Sequence, residues 1–205
     1  MTADVPLFGL VLMGGQSRRM GQDKSSLIYH DKPQREHLTD LLSPFCERVV
    51  WSVNEAQHAA LTYPDRLLDT YPQAGPLGGL LTALATYPHA AWLVVPCDLP
   101  RLDEATLGTL VAGRHRSAVA TAFWDRDHQG PEPLVSLWEP AAGPLLRQFF
   151  EQGHRSPRQF LSRHGAHLLN VPDAGVFTNV NTPQEASTAR LRRMRDSTAG
   201  KKRFR

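Results

Sequence analysis

Apolar runs alternate with amphipathic segments along most of the chain. Phe8-Gly9-Leu10-Val11-Leu12-Met13 is a continuous apolar stretch, as expected of a strand buried on both faces. Past a glycine-rich polar segment, Leu38, Leu41, Leu42 and Phe45 recur at i, i+3, i+4, i+7 and predict a helix. That helix starts at Pro33, where a missing N–H costs nothing. Val49-Val50-Trp51-Ser52-Val53 predicts a second strand, Arg66-Leu67-Leu68-Asp69 a short third, and Gly78 to Tyr87 a helix. Ala91-Trp92-Leu93-Val94-Val95 is the strongest strand signal and runs directly into Pro96-Cys97-Asp98-Leu99-Pro100. Asp103 then caps a helix bearing Leu107, Leu110 and Val111. Ala118 to Phe123 and Pro133 to Trp138 predict two further strands around the polar loop 125–130. Leu145, Leu146, Phe149 and Phe150 mark an amphipathic helix stopped at Gly153, and Thr182-Pro183-Gln184-Glu185 forms a capping box. This alternation predicts an α/β fold with a single doubly wound, mostly parallel sheet over residues 1–189 and a tail at 190–205.

Composition narrows the classes. A chain of 205 residues matches one ordinary α/β domain, and no apolar run reaches bilayer-spanning length. Met1-Thr2-Ala3-Asp4 lacks the basic and apolar start of a secretory signal, and two cysteines, Cys46 and Cys97, make no disulfide framework. A reducing, cytoplasmic setting is the expectation. The formal charge is +3, yet Arg190 onward holds eight basic residues and one acid, Asp196. The tail therefore carries seven net positive charges and the remainder of the chain four net negative ones. Basic residues gathered in a tail, without aromatics on a folded face, argue against nucleic-acid binding. Trp51, Trp92 and Trp138 fall inside predicted strands and are expected in the core, whereas the exposure of Trp124 is open.

Ligands of open α/β sheets bind outside the carboxyl ends of the strands, and three polar clusters lie there. The first, Leu12-Met13-Gly14-Gly15-Gln16-Ser17-Arg18-Arg19-Met20-Gly21-Gln22-Asp23-Lys24, combines glycines with Arg18, Arg19 and Lys24. Backbone N–H groups freed by glycine, with cations in reach, suit a polyphosphate. It is not a Walker A loop, because Asp23 rather than Gly precedes Lys24, and it lacks the G-x-G-x-x-G dinucleotide fingerprint. The second is Asp98, which suits either a Mg²⁺ ligand at the sheet edge or a turn former before Pro100. The third, Asn179-Val180-Asn181-Thr182-Pro183, places two Asn at alternate positions where strand propensity disfavours them. Cys97 is expected to be a buried packing thiol.

In this order the clusters, together with Gly75-Pro76-Leu77-Gly78-Gly79, resemble the nucleotidyltransferases that build molybdenum cofactor dinucleotides, the guanylyltransferase branch in particular. The resemblance covers nearly all of residues 1–189. It implies a Rossmann-like nucleotidyltransferase fold, GTP and molybdopterin or molybdenum cofactor as substrates, and Mg²⁺ as cofactor. Cofactor-biosynthesis proteins or apo-molybdoenzymes are the implied partners. It further implies that Leu12, Gly14 and Gly15 contact the nucleotide, that Arg19 and Lys24 hold its phosphates, and that Asn54 and Asp69 recognise guanosine. Asp98 would bind Mg²⁺, and Asn179 or Asn181 would line the region of the transferred phosphate. Arg155 and Arg158 have two readings, as ligands of the acceptor phosphate or as surface arginines at a helix start.

Two positions depart from the family pattern. Met13 replaces the usual Ala, and Glu132 stands where a neutral residue or His is more common. Three alternatives stay open: a cytidylyltransferase on the same pterin, a sugar-phosphate nucleotidyltransferase, and a non-catalytic GTP-binding carrier of the cofactor. The cytidylyl branch usually has Ala before its second glycine, so Gly14-Gly15 and Cys97-Asp98-Leu99-Pro100 favour guanine.

Overall fold

A computed structural model of the chain describes residues 5–13, 23–71 and 73–179. Gly14, Gly15, Arg19, Asn181, the capping box at Thr182 and the basic tail lie outside the described residues. The strands are β1 (Leu7–Leu12), β2 (Arg48–Val53), β3 (Arg66–Leu68), β4 (Ala91–Pro96), β5 (Ala120–Trp124), β6 (Pro131–Trp138) and β7 (His167–Leu169). The helices are α1 (Gln34–Leu42), α2 (Glu55–Ala60), α3 (Pro76–Thr86), α4 (Glu104–Ala112), α5 (Ala142–Glu151) and α6 (Pro157–His164). Short 3₁₀ turns occupy Lys24–Ser26 and Ala174–Phe177.

Among the described residues seven strands join one sheet in the order β3-β2-β1-β4-β6-β5-β7. The pairs β1–β2, β1–β4, β2–β3 and β5–β7 are parallel, whereas β6 runs antiparallel to both β4 and β5. The connection 125–130 is too short for a crossover, so β5 can only turn back into a neighbouring antiparallel strand. Every residue of β4 is buried, which explains why it has the most continuous apolar run. Leu38 and Leu42 of α1 and Leu107 and Leu110 of α4 pack on one face of the sheet. Leu77, Leu80 and Leu84 of α3, Leu146 and Phe149 of α5, and Phe160 of α6 pack on the other.

Several element limits differ from those expected. α1 starts at Gln34 with Pro33 as its N-cap and ends at Leu42, so Phe45 lies in the following turn, still packed on the core. α3 starts two residues early, at Pro76, because Gly75 takes a left-handed φ of 58° and Pro76 fits the first helical turn. Asp103 caps α4 as expected, its carboxylate accepting from the Thr106 N–H at 2.9 Å. α2 and β7 gave no sequence signal, because α2 has no apolar stripe and β7 is three residues long. α6, signalled only by the helix start considered at Arg155 and Arg158, buries only Phe160 and Leu161. Trp92 and Trp138 face each other across β4 and β6 in the core, Trp51 is buried, and Trp124 is half-buried.

Candidate functional site

The carboxyl ends of β1, β2 and β4 lie level. Leu12 pairs with Ser52 on one side and Pro96 on the other. The ladder runs one residue further, with the Met13 N–H donating to Ser52 at 3.1 Å and the Cys97 N–H donating to Leu12 at 3.3 Å. Residues just beyond these ends, Met13, Asn54 and Asp98, therefore converge on one edge, where the sequence placed the chemistry.

α3 approaches this edge closely because two of its residues lack a Cβ. A Cβ on Gly78 would stand 2.5 Å from the Tyr71 carbonyl and 2.7 Å from an Asp69 carboxylate oxygen. A Cβ on Gly79 would collide with the Ser52 hydroxyl and lie 2.9 Å from the Leu12 side chain. The Gly-Gly step thus lets the first turn of α3 nest against Leu12, Ser52 and Asp69.

Asp23 and Lys24 open the segment that follows the glycine-rich loop. The Asp23 carboxylate accepts from the Ser25 N–H at 2.9 Å and the Ser25 hydroxyl at 2.8 Å, capping the 3₁₀ turn that begins at Lys24. The Lys24 ammonium stands 3.7 Å from Asp98. Burial pushes the Asp98 carboxyl above its ordinary range, and the Lys24 charge opposes that shift. The neighbouring Cys97 thiol is buried and pushed up to about 12, chiefly by burial, so it is an inert packing group.

Asn54 is exposed and caps α2. Its side chain accepts from the Gln57 N–H at 2.9 Å, while the Gln57 carboxamide oxygen accepts from the Asn54 N–H at 3.1 Å. The Gln57 Nε2 group then donates to Asp23 at 3.0 Å and to the Met13 carbonyl at 3.4 Å. Asp69 follows β3, with its N–H donating to the Val53 carbonyl and its carboxylate accepting from the Tyr71 N–H at 2.7 Å. Burial raises the Asp69 carboxyl, against the lowering effect of that hydrogen bond.

Glu132 reaches the same edge from β6. β6 pairs antiparallel with β4 through Trp92↔Trp138, Leu93↔Leu137 and Val94↔Ser136, and Glu132, toward its amino end, feels the charge of Asp98. Burial raises the Glu132 carboxyl, its hydrogen bond from Leu134 opposes that, and the charge of Asp98 adds to the rise. Arg158 acts on Glu132 in the lowering direction and itself pairs with Asp125. Arg155 is engaged otherwise: it donates to the carbonyls of Phe150 and His154 and lies 3.9 Å over the Phe150 ring. Asn179 is exposed, past the last 3₁₀ turn.

Leu12, Lys24, Asn54, Asp69 and Asp98 are thus gathered at the edge formed by β1–β4. Gln57 is the residue that pattern analysis missed. Its signal was the N-cap-to-N3 spacing of Asn54 and Gln57, obscured because α2 has no apolar stripe. Among the described residues no three His, Cys, Asp or Glu side chains gather as a metal cage. One hard carboxylate beside a lysine fits Mg²⁺, which takes one or two protein carboxylates and completes its shell with phosphate oxygens and water. Among the described residues no helix is long and apolar enough to cross a membrane.

The family described as MobA-like NTP transferase domain matches residues 9–168. The molybdenum cofactor guanylyltransferase of Pseudomonas paraeruginosa is 35% identical over 179 residues, covering 85% of this chain and 90% of that protein. The molybdenum cofactor biosynthesis bifunctional protein of Synechocystis sp. is 32% identical over 185 residues. That match covers 89% of this chain, which spans only about half (53%) of the bifunctional protein. Among solved structures, molybdopterin-guanine dinucleotide biosynthesis protein A of Archaeoglobus fulgidus superposes with a TM-score of 0.75 at 22% identity, covering 92% of this chain and 99% of that one. The 2-C-methyl-D-erythritol 4-phosphate cytidylyltransferase of Thermus thermophilus shares the fold at a TM-score of 0.64 and 12% identity, covering 89% and 96%.

Proposed function

Because the chain belongs to the MobA-like NTP transferase family, we propose that it transfers GMP from GTP to molybdopterin or molybdenum cofactor, releasing pyrophosphate. The observation that carries this reading is the pairing of Lys24 with Asp98 at the common edge of β1 and β4. A lysine and a carboxylate within one polyphosphate's reach support a cation for phosphate and a ligand for a divalent metal. The terminal phosphate of the pterin attacks the α-phosphorus of GTP in line. A new P–O bond forms there as the bond to the bridging oxygen of the β-phosphate breaks, and pyrophosphate departs with that electron pair. No protein nucleophile is needed, so the chain contributes positioning and charge neutralisation.

Lys24 and Arg19 hold the triphosphate, with Leu12, Gly14 and Gly15 along its path. Asp98 holds Mg²⁺, which when bound supplies positive charge to the phosphate oxygens. Asn54 and Asp69 face the guanosine, where a carboxylate oriented by the Tyr71 N–H can accept from the N–H donors of the guanine edge. Arg158 offsets Glu132 and is assigned, with Asn179 and Asn181, to the acceptor.

Pyrophosphate release with Mg²⁺ and molybdopterin, comparing GTP, CTP and ATP, tests the proposal. GTP-selective turnover is expected. CTP-selective turnover would instead assign the cytidylyl reaction, and GTP binding without turnover would assign a carrier.

A further inference from the structure

The Gln57 carboxamide uses every side of itself. Its oxygen accepts from the Asn54 N–H, and its Nε2 group donates to the Met13 carbonyl and to the Asp23 carboxylate. Gln57 is buried, with 8% of its surface exposed, so these contacts are shielded from water. Its three partners come from three places: Asn54 follows β2, Met13 follows β1, and Asp23 precedes Lys24. Asp23 in turn caps the turn that begins with Lys24, and Lys24 pairs with Asp98.

Helix capping alone does not account for a glutamine here. Glutamate at this third helical position accepts the same N–H and is also favoured by the positive end of the helix dipole. Only an amide, however, can donate to the two oxygens on its other side, one of them anionic. A glutamate would set its second oxygen against the Asp23 carboxylate.

We infer that Gln57 is a positioning residue that ties the guanosine end of the site to its phosphate end, fixing Asn54 and Asp23–Lys24 relative to each other through one carboxamide. This rests on the reading of the edge as a GTP site. Asn54 is then placed for the base and Lys24 for the phosphates by the same group, so a defect at Gln57 weakens the nucleotide as a whole. It does so without touching the substrate.

The test exchanges donor and acceptor. Gln57→Glu keeps the cap and opposes Asp23. Asp23→Asn keeps an oxygen for Ser25 and turns an N–H₂ toward Gln57. The double variant restores a hydrogen bond of reversed polarity with the total charge unchanged. GTP affinity is measured by calorimetry, alongside the KM for GTP, kcat and the melting temperature. Each single variant is expected to bind GTP about 10- to 100-fold more weakly, the range of a lost hydrogen bond to a charged group. The loss should fall on KM more than on kcat. The double variant is expected to bind GTP at least about 3-fold more tightly than either single variant, short of wild type because the Met13 carbonyl still lacks its donor. Wild-type affinity in Gln57→Glu, or a folded double variant as weak as the worse single, overturns the inference. A wild type that binds GTP but releases no pyrophosphate would sink the transferase reading alone, because the affinity comparison still decides the role of Gln57. A wild type that binds no GTP overturns both.

Discussion

The ammonium of Lys24 lies 3.7 Å from the carboxylate of Asp98, joining the segment after β1 to the segment after β4 across two adjacent parallel strands. Each group is partly withdrawn from water, at 17% and 24% side-chain exposure, so the pair keeps a definite geometry before any ligand arrives. Asp98→Asn preserves the shape and removes the charge. It is expected to lower GTP-dependent pyrophosphate release by about 100-fold or more, the scale of losing one preorganised electrostatic group. The melting temperature should hold, since a neutral amide is easier to bury than a carboxylate. Turnover at wild-type level would remove Asp98 from the metal role.

Gly79→Ala places a methyl group against Ser52 and Leu12. α3 must then move off the sheet edge, and overpacking of this kind costs about 1–3 kcal/mol. Chemical denaturation should show that loss, and the KM for GTP should rise with it. Gly108, whose added methyl would meet only Phe45 at 3.8 Å, is the control, and Gly108→Ala should be neutral or stabilising in mid-helix.

Glu132 gives a pH-dependent prediction. Burial raises its carboxyl in the folded chain, with the charge of Asp98 adding to the rise. The folded state therefore keeps the proton to higher pH than the unfolded state does. Stability falls as pH climbs from the unfolded value, about 4.3, through the raised folded one, and the full penalty is present above that raised value. Glu132→Gln retains the oxygen that accepts from Leu134 and escapes the penalty. Its melting temperature should exceed that of wild type by a few degrees at pH 7, with the gain vanishing near pH 4. An equal gain at both pH values would refute the burial argument.

Arg114 and Glu139 form a two-bond ion pair at 2.7 and 2.9 Å, with only 9% and 3% side-chain exposure, linking the end of α4 to the end of β6. Removing one partner strands the other charge in the interior, which costs about 3–5 kcal/mol. Arg114→Met alone should be strongly destabilised in denaturant melts, while Arg114→Met with Glu139→Leu should regain most of that loss. Additive losses in the double variant would show that the pair is not the source of the effect.

The sequence by itself determined the α/β class and the central strands. β1 and β4 are buried on both faces and leave unbroken apolar runs, and the polar clusters at their ends mark the ligand edge. Lys24 and Asp98 were legible in the polar clusters that follow the first and fourth strands, whereas Asn54 and Asp69 were legible only through the family resemblance. Tertiary structure decided what pattern cannot encode. The antiparallel insertion of β6 between β4 and β5 depends on pairing partners, not on local periodicity, and it brings Glu132 within electrostatic reach of Asp98. Gln57 sits on a six-residue helix with no apolar stripe, and its three partners are distant from one another in sequence. Its role exists only in the hydrogen bonds that folding brings together, because a carboxamide's donors and acceptor acquire meaning from what surrounds them.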